Sequence, residues 1–174
     1  DIKKLPDLIK KTLSYCQNNV PIIAKDFLNA KGAMFLGRGS SFPIALEGAL
    51  KLKELSYLHA EGYPAGEMKH GPLALIEEGL PVVILAPKDK YFEKTISNMQ
   101  EVIARGGKVI LLTNENNKVI RENVRFTLEI PLTNEDLTPF LLTLPLQLLA
   151  YHVASLKNCD IDKPRNLAKS VTVE

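Results

Sequence analysis

Apolar positions in residues 1–30 recur at helical spacing, as Leu5, Leu8, Ile9, Leu13, Ile22, Ile23, Phe27 and Leu28. The spacing predicts two leading helices divided near Pro21. Ala33-Met34-Phe35-Leu36 is then apolar throughout and closed by Gly37. That run predicts a short buried strand entering the loop Gly37-Arg38-Gly39-Ser40-Ser41. A helix is expected after Pro43, continuing to about residue 60 and apolar over most of its circumference. Gly62, Pro64 and Gly66 mark a loop, and a second apolar helical patch covers 72–76.

Three further strands are expected at 82–86, 109–112 and 126–130, ended by Pro87, Thr113-Asn114 and Pro131. Between the first two, Phe92, Ile96, Met99, Val102 and Ile103 predict a helix over 91–105, stopped at Gly106-Gly107 as at a C-terminal cap. Thr138 and Pro139 read as an N-cap and first-turn pair opening a long apolar helix, and a polar tail with Pro164 follows Asn158. Strands apolar on both faces and separated by helices imply a parallel sheet covered on both sides. The expected fold is α/β, a three-layer αβα sandwich. Such sheets take ligands beyond the carboxyl ends of their strands, which directs attention to residues 37–41, 87–90 and 113–117.

At 174 residues, with 45% hydrophobic and 24% charged positions and ten glycines, the chain is expected to form one globular domain, and disorder and collagen-like repeats are excluded. Lys and Arg exceed Asp and Glu by 22 − 20 = 2, without a block of like charge, so no nucleic-acid partner and no anionic membrane is expected. The uncharged stretch 137–156 is long enough to raise a membrane span, but Pro139, Pro145, Gln147 and His152 favour a buried core helix. Cys16 and Cys159 form no CxxC pair, which fits a reducing, cytoplasmic compartment. The chain opens on Asp1 without a basic-then-apolar leader, as expected of a piece of something longer.

The helix from Ile44 onward carries the most informative pattern. At about 100° per residue, Glu47, Lys51 and Glu54 fall in one strip roughly 60° wide, while leucines, alanine and Tyr57 fill most of the remaining circle. The strip is either an exposed ion-pair ladder or a carboxylate poised as a base beside a lysine that holds negative charge. His70, between Gly66 and Pro72, is either a structural loop histidine or one wet enough to titrate near neutrality. His59 and His152 are expected inside apolar helices, and three scattered histidines make no metal site. Residues 37–41 could cradle a phosphate or form a plain turn; they lack the spacing of GxGxxG or a Walker loop. Lys169, seen alone, is a solvated terminus.

The runs Phe35-Leu36-Gly37-Arg38-Gly39, Pro43 to Glu54 and Ala65 to Ile76 closely resemble sugar isomerase (SIS) domains, whose sheet is Rossmann- or flavodoxin-like. The ending Pro164-Arg165-Asn166-Leu167-Ala168-Lys169-Ser170-Val171-Thr172-Val173-Glu174 resembles the extreme C-terminus of the SIS-containing aminotransferases that make glucosamine 6-phosphate from fructose 6-phosphate and glutamine. The resemblance implies the second of two SIS domains, with residues 159–174 as a catalytic tail and a homodimer as the working unit. It implies that Lys169 forms a Schiff base with the open-chain ketose and that Glu54 carries a proton from C1 to C2. It also implies that Lys51 assists, that His70 helps ring opening from the neighbouring subunit, and that the Ala168 backbone contacts sugar. Such an enolamine-type isomerisation calls for no cofactor and no metal.

The family grips phosphate mainly through a Ser/Thr-rich loop of its first SIS domain. Here the comparable strand end reads Ala86-Pro87-Lys88-Asp89, so that grip is expected outside this segment. A free lysine, with pKa about 10.4, is more than ~99% protonated at pH 7, so Lys169 must lose solvent or gain cationic neighbours before it can attack a carbonyl. Two other functions share these features: an amino-sugar phosphate deaminase or isomerase, and a non-catalytic module that binds sugar phosphate and dimerises.

Overall fold

The computed structural model describes residues 2–167 and opens on one helix, α1 (Leu5–Ala24), where two were expected. Pro21 lies inside α1, where its missing N–H removes only the one bond to the carbonyl four residues earlier, and the helix continues through it to Ala24. Val20, Ile23 and Ala24 are buried, and a 3-10 turn, Lys25–Phe27, continues the same face to buried Phe27. The chain proceeds through β1 (Ala33–Gly37), α2 (Ser41–Ser56), β2 (Ala60–Pro64), the 3-10 segments Ala65–His70 and Pro72–Leu75, and β3 (Pro81–Leu85). It finishes with α3 (Phe92–Ile103), β4 (Lys108–Thr113), α4 (Lys118–Glu122), β5 (Phe126–Glu129) and α5 (Thr138–Leu156).

Every strand pairing is parallel and the order is β2-β1-β3-β4-β5, so the sheet reverses direction of growth between β1 and β3. Successive side chains alternate between two cores, as the period of a strand requires. Phe35, Val83, Leu85, Ile110 and Leu112 face α1, α2 and α5; Leu36, Val82, Ile84, Val109 and Leu111 face α3 and the 3-10 segments. This is the expected three-layer αβα sandwich.

Three boundaries depart from expectation. Helix α2 begins before Pro43 and takes that proline into its first turn, where a missing N–H is harmless. It stops at Ser56, because Tyr57 turns left-handed. The stretch expected as a loop at Gly62 and Pro64 is instead the edge strand β2, in register with β1 from Ala33↔Ala60 to Gly37↔Pro64. Glycine and proline hide that strand in the sequence, yet the edge position tolerates both. Gly62 also permits close packing, since a Cβ there would lie 2.9 Å from Leu46 Cα on α2. At α5 the N-cap is Leu137 rather than Thr138; its N–H donates to Asn134 Oδ1 at 2.9 Å, and Thr138 Oγ1 donates to the Asn134 carbonyl.

Helix α5 is long and apolar enough, by length and composition, to cross a membrane. In the fold it packs on α1 and α2, with Leu141, Leu142, Leu146, Leu149 and Val153 buried against them. The two cysteines are free and differ in access: Cys16 is fully buried, and burial pushes its thiol up to about 11, whereas Cys159 is half-buried. Since the thiolate is the reacting form, Ellman's reagent at pH 8 is expected to label Cys159 in the native protein and to reach Cys16 only after denaturant is added. Equal native rates would mean that α1 does not seat on the sheet as described.

Candidate functional site

Parallel topology brings the loops after β1 and β3 together where the strand order reverses. A cavity of about 440 Å3 lies there, lined by Gly39, Ser40, Asp89, Lys90, Tyr91, Glu135, Asp136 and Pro139. Two of the three loops singled out from the sequence contribute to it; residues 113–117 do not. Its chemistry is wrong for a phosphate. Three carboxylates face one lysine, and the first amides of α2 are already engaged, Ser41 N–H on Arg38 O at 3.0 Å and Phe42 N–H on Gly39 O at 3.2 Å. Residues 37–41 therefore form a plain turn. The Arg38 side chain leaves the loop altogether and donates through Nε and Nη2 to Asn98 Oδ1 on α3.

The charged strip of α2 is present as the wheel predicts. Lys51 Nζ donates to Glu54 Oε2 at 2.5 Å and lies 3.9 Å from Glu47 Oε1, and all three side chains are about one-third exposed. The hydrogen bond to Glu54 raises the Lys51 pKa, outweighing the opposing effect of its partial burial. Lys51 therefore remains an ammonium ion through neutral pH and presents its charge to Glu54. A lysine so held is a charged hydrogen-bond donor to its neighbouring carboxylate and not a base at neutral pH.

His70 is not brought to that pair within one chain. Helix α2 descends from the carboxyl end of β1, so Glu54 lies near the amino ends of the strands. β2 then returns to the carboxyl end, roughly 16 Å away over five residues, before Ala65–His70 begins. The segment is tied to α3 by Lys69 Nζ on Glu101 at 3.2 Å, and Gly66 sits against the Arg38 guanidinium, which a Cβ would meet at 2.6 Å. Gly71, at φ +150°, ends the segment in a conformation that favours glycine. The His70 side chain is 76% exposed and 3.8 Å from Glu67, so it faces outward, available to another molecule.

Ala168 and Lys169 lie outside the described residues. The chain leading to them is placed, however. Beyond α5, Asp160 Oδ1 accepts the N–H groups of Asp162 and Lys163, folding the tail back. Arg165 then meets Tyr57: its N–H donates to Tyr57 Oη at 2.8 Å, and its guanidinium stacks over the ring at 4.1 Å. Tyr57 directly follows α2, three residues after Glu54. The sequence pattern places Tyr57 on the apolar side of a helix expected to run to about residue 60 and assigns it no functional role, whereas in the structure it stands just past the helix end.

His59 lies beyond the end of α2 rather than inside a helix, with its side chain 76% exposed and 3.4 Å from Glu61. The turn into β2 accounts for the difference. His152 does lie on α5, edge-on to Tyr151, and burial lowers its pKa. Among the described residues no group of three or more His, Cys, Asp or Glu is arranged to hold a metal ion.

Comparison with known proteins gives a consistent set of relatives. The SIS domain signature matches residues 26–157. The glutamine–fructose-6-phosphate aminotransferase (isomerizing) of Agrobacterium fabrum is 52% identical over 172 residues, which is 98% of this chain and 28% of that protein. The chain thus spans less than a third of the length of such relatives. Among solved structures, the C-terminal domain of glucosamine-fructose-6-phosphate aminotransferase from Francisella tularensis superposes with a TM-score of 0.84 at 45% identity, covering 92% of this chain and 45% of that one. Glucosamine-6-phosphate deaminase from Thermotoga maritima superposes at 0.70 with 26% identity, over 98% of this chain and 47% of its own.

Proposed function

This chain belongs to the SIS domain family, and on that footing we propose that it is the C-terminal isomerase domain of a glutamine:fructose-6-phosphate aminotransferase. In this reading Lys169 condenses with the C2 carbonyl of open-chain fructose 6-phosphate, releasing water and forming a Schiff base, and ammonia supplied from glutamine then adds at C2 and expels the Lys169 amine, leaving the C2 imine of the sugar. Glu54 takes a proton from C1 and returns it to C2, and Lys51 holds the carboxylate in place. The Ala168 backbone contacts the sugar. His70 serves ring opening in a neighbouring copy, so the working unit is a homodimer. A cytoplasmic setting belongs to the same reading, with both cysteines free.

The observation that carries it is the meeting of two distant segments at one end of α2. The Lys51–Glu54 pair stands at 2.5 Å, and the tail that continues into Ala168 and Lys169 docks three residues further on. From Arg165 to Lys169 is four residues, a reach of at most about 14 Å. The occupied amides and carboxylates of the cavity beyond β1 and β3 support a phosphate grip supplied elsewhere in the protein. The likeness to the Thermotoga maritima deaminase favours a second reading, an amino-sugar phosphate deaminase or isomerase on the same fold.

The two readings part on nitrogen. The complete protein containing this segment is expected to convert fructose 6-phosphate and glutamine to glucosamine 6-phosphate, while residues 1–174 alone show no measurable synthase turnover. Ammonia release from glucosamine 6-phosphate without any use of glutamine would establish the deaminase instead. Robust synthesis by the segment alone would overturn the division of labour.

A further inference from the structure

We propose that Tyr57 is a positioning residue, clamping Arg165 between its ring and hydroxyl so that the tail presents Lys169 to the Lys51–Glu54 pair. The inference rests on the aminotransferase reading for the role of Lys169, and on the geometry of Tyr57 for the clamp.

Three features single out this residue. The first is its backbone: Tyr57 has φ +58°, a left-handed conformation that a bulky side chain adopts only when its surroundings hold it there. Its N–H donates to Lys53 O at 3.1 Å and closes α2, a task for which glycine is the ordinary choice. The aromatic side chain therefore does something that capping does not require. The second is that this side chain makes two contacts with one tail residue, accepting the Arg165 N–H at Oη and lying beneath its guanidinium. The third is that the tail arrives there by a built path. Asn158 and Asn166 are both left-handed, Cys159 Sγ lies 4.0 Å from the Ser56 carbonyl, and the Asp160 turn accepts two amides. The clamp therefore fixes the tail four residues before Lys169, beside the helix end that carries Glu54.

The test uses the complete enzyme with fructose 6-phosphate at saturation and borohydride, mapping the trapped adduct by mass spectrometry. Tyr57→Gly keeps the left-handed cap and removes the clamp; Tyr57→Phe keeps the ring beneath the guanidinium and removes only the acceptor. With melting temperature and sugar affinity unchanged, Tyr57→Gly is expected to slow adduct formation at Lys169 by tenfold or more, and Tyr57→Phe to fall between it and the parent. Hydrogen exchange supplies a second readout. The Arg165 amide should exchange faster in Tyr57→Phe, while the Lys163 amide, held by Asp160, should not change. Trapping in Tyr57→Gly at the parent rate overturns the clamp and leaves the Lys169 chemistry standing. Loss of adduct that follows loss of thermal stability in both variants makes Tyr57 structural and equally overturns it. A parent enzyme that traps sugar on no lysine overturns the aminotransferase reading and the clamp with it.

Discussion

Glu54→Gln in the complete enzyme is expected to lower glucosamine 6-phosphate formation by about 10²- to 10⁴-fold, the usual range for removing a general base. Release of glutamate from glutamine should be unaffected. The substitution keeps the shape of the side chain and an oxygen for Lys51 Nζ to donate to, so the local structure should survive. What disappears is the ability to accept a proton from carbon. Glu47→Gln is the matched control: its oxygen lies 3.9 Å from Lys51, it belongs to the same half-buried strip, and its loss should matter little. Both variants should be assayed for product and for exchange of the C1 hydrogens with deuterated solvent. Exchange retained in Glu54→Gln would show that another group removes the proton, and equal losses in the two variants would reduce the strip to an ion-pair ladder.

The sheet was legible in the sequence because its inner strands are apolar without interruption. Residues 33–36, 82–86 and 109–112 are too short for helices, and the structure places β1, β3 and β4 there, buried on both faces. β2 was illegible for a physical reason. It lies at the sheet edge beneath α2, where Gly62 is required by the approach of Leu46, and both Gly62 and Pro64 read as turn residues when taken singly. Helix α4, five residues long, is likewise below what periodicity detects. The Glu47-Lys51-Glu54 strip was visible because a helical wheel reports side-chain direction, but periodicity could not separate a ladder from a base. The unequal distances, 2.5 Å to Glu54 and 3.9 Å to Glu47, make that distinction testable. Contacts between residues far apart in sequence carry no local pattern at all. Tyr57 and Arg165, 108 positions apart, meet only in three dimensions.

Lys169→Arg is expected to abolish the borohydride-trapped sugar adduct and to lower synthesis by at least about 10³-fold, because a nucleophile that forms a covalent intermediate has no substitute in the site. Arginine keeps the positive charge and most of the length of lysine, so effects of charge and tail packing are held nearly constant. Its guanidinium stays protonated at any pH the enzyme tolerates and cannot form an imine. The tail should still dock, since the Arg165 contacts with Tyr57 involve no atom of residue 169. Binding of fructose 6-phosphate should therefore change little while turnover collapses, which separates loss of the nucleophile from loss of the substrate site. Were Lys169→Arg to keep its adduct on a different lysine, Lys51 would be the candidate to map first. Its hydrogen bond to Glu54, however, raises its pKa and makes it a poor nucleophile at neutral pH.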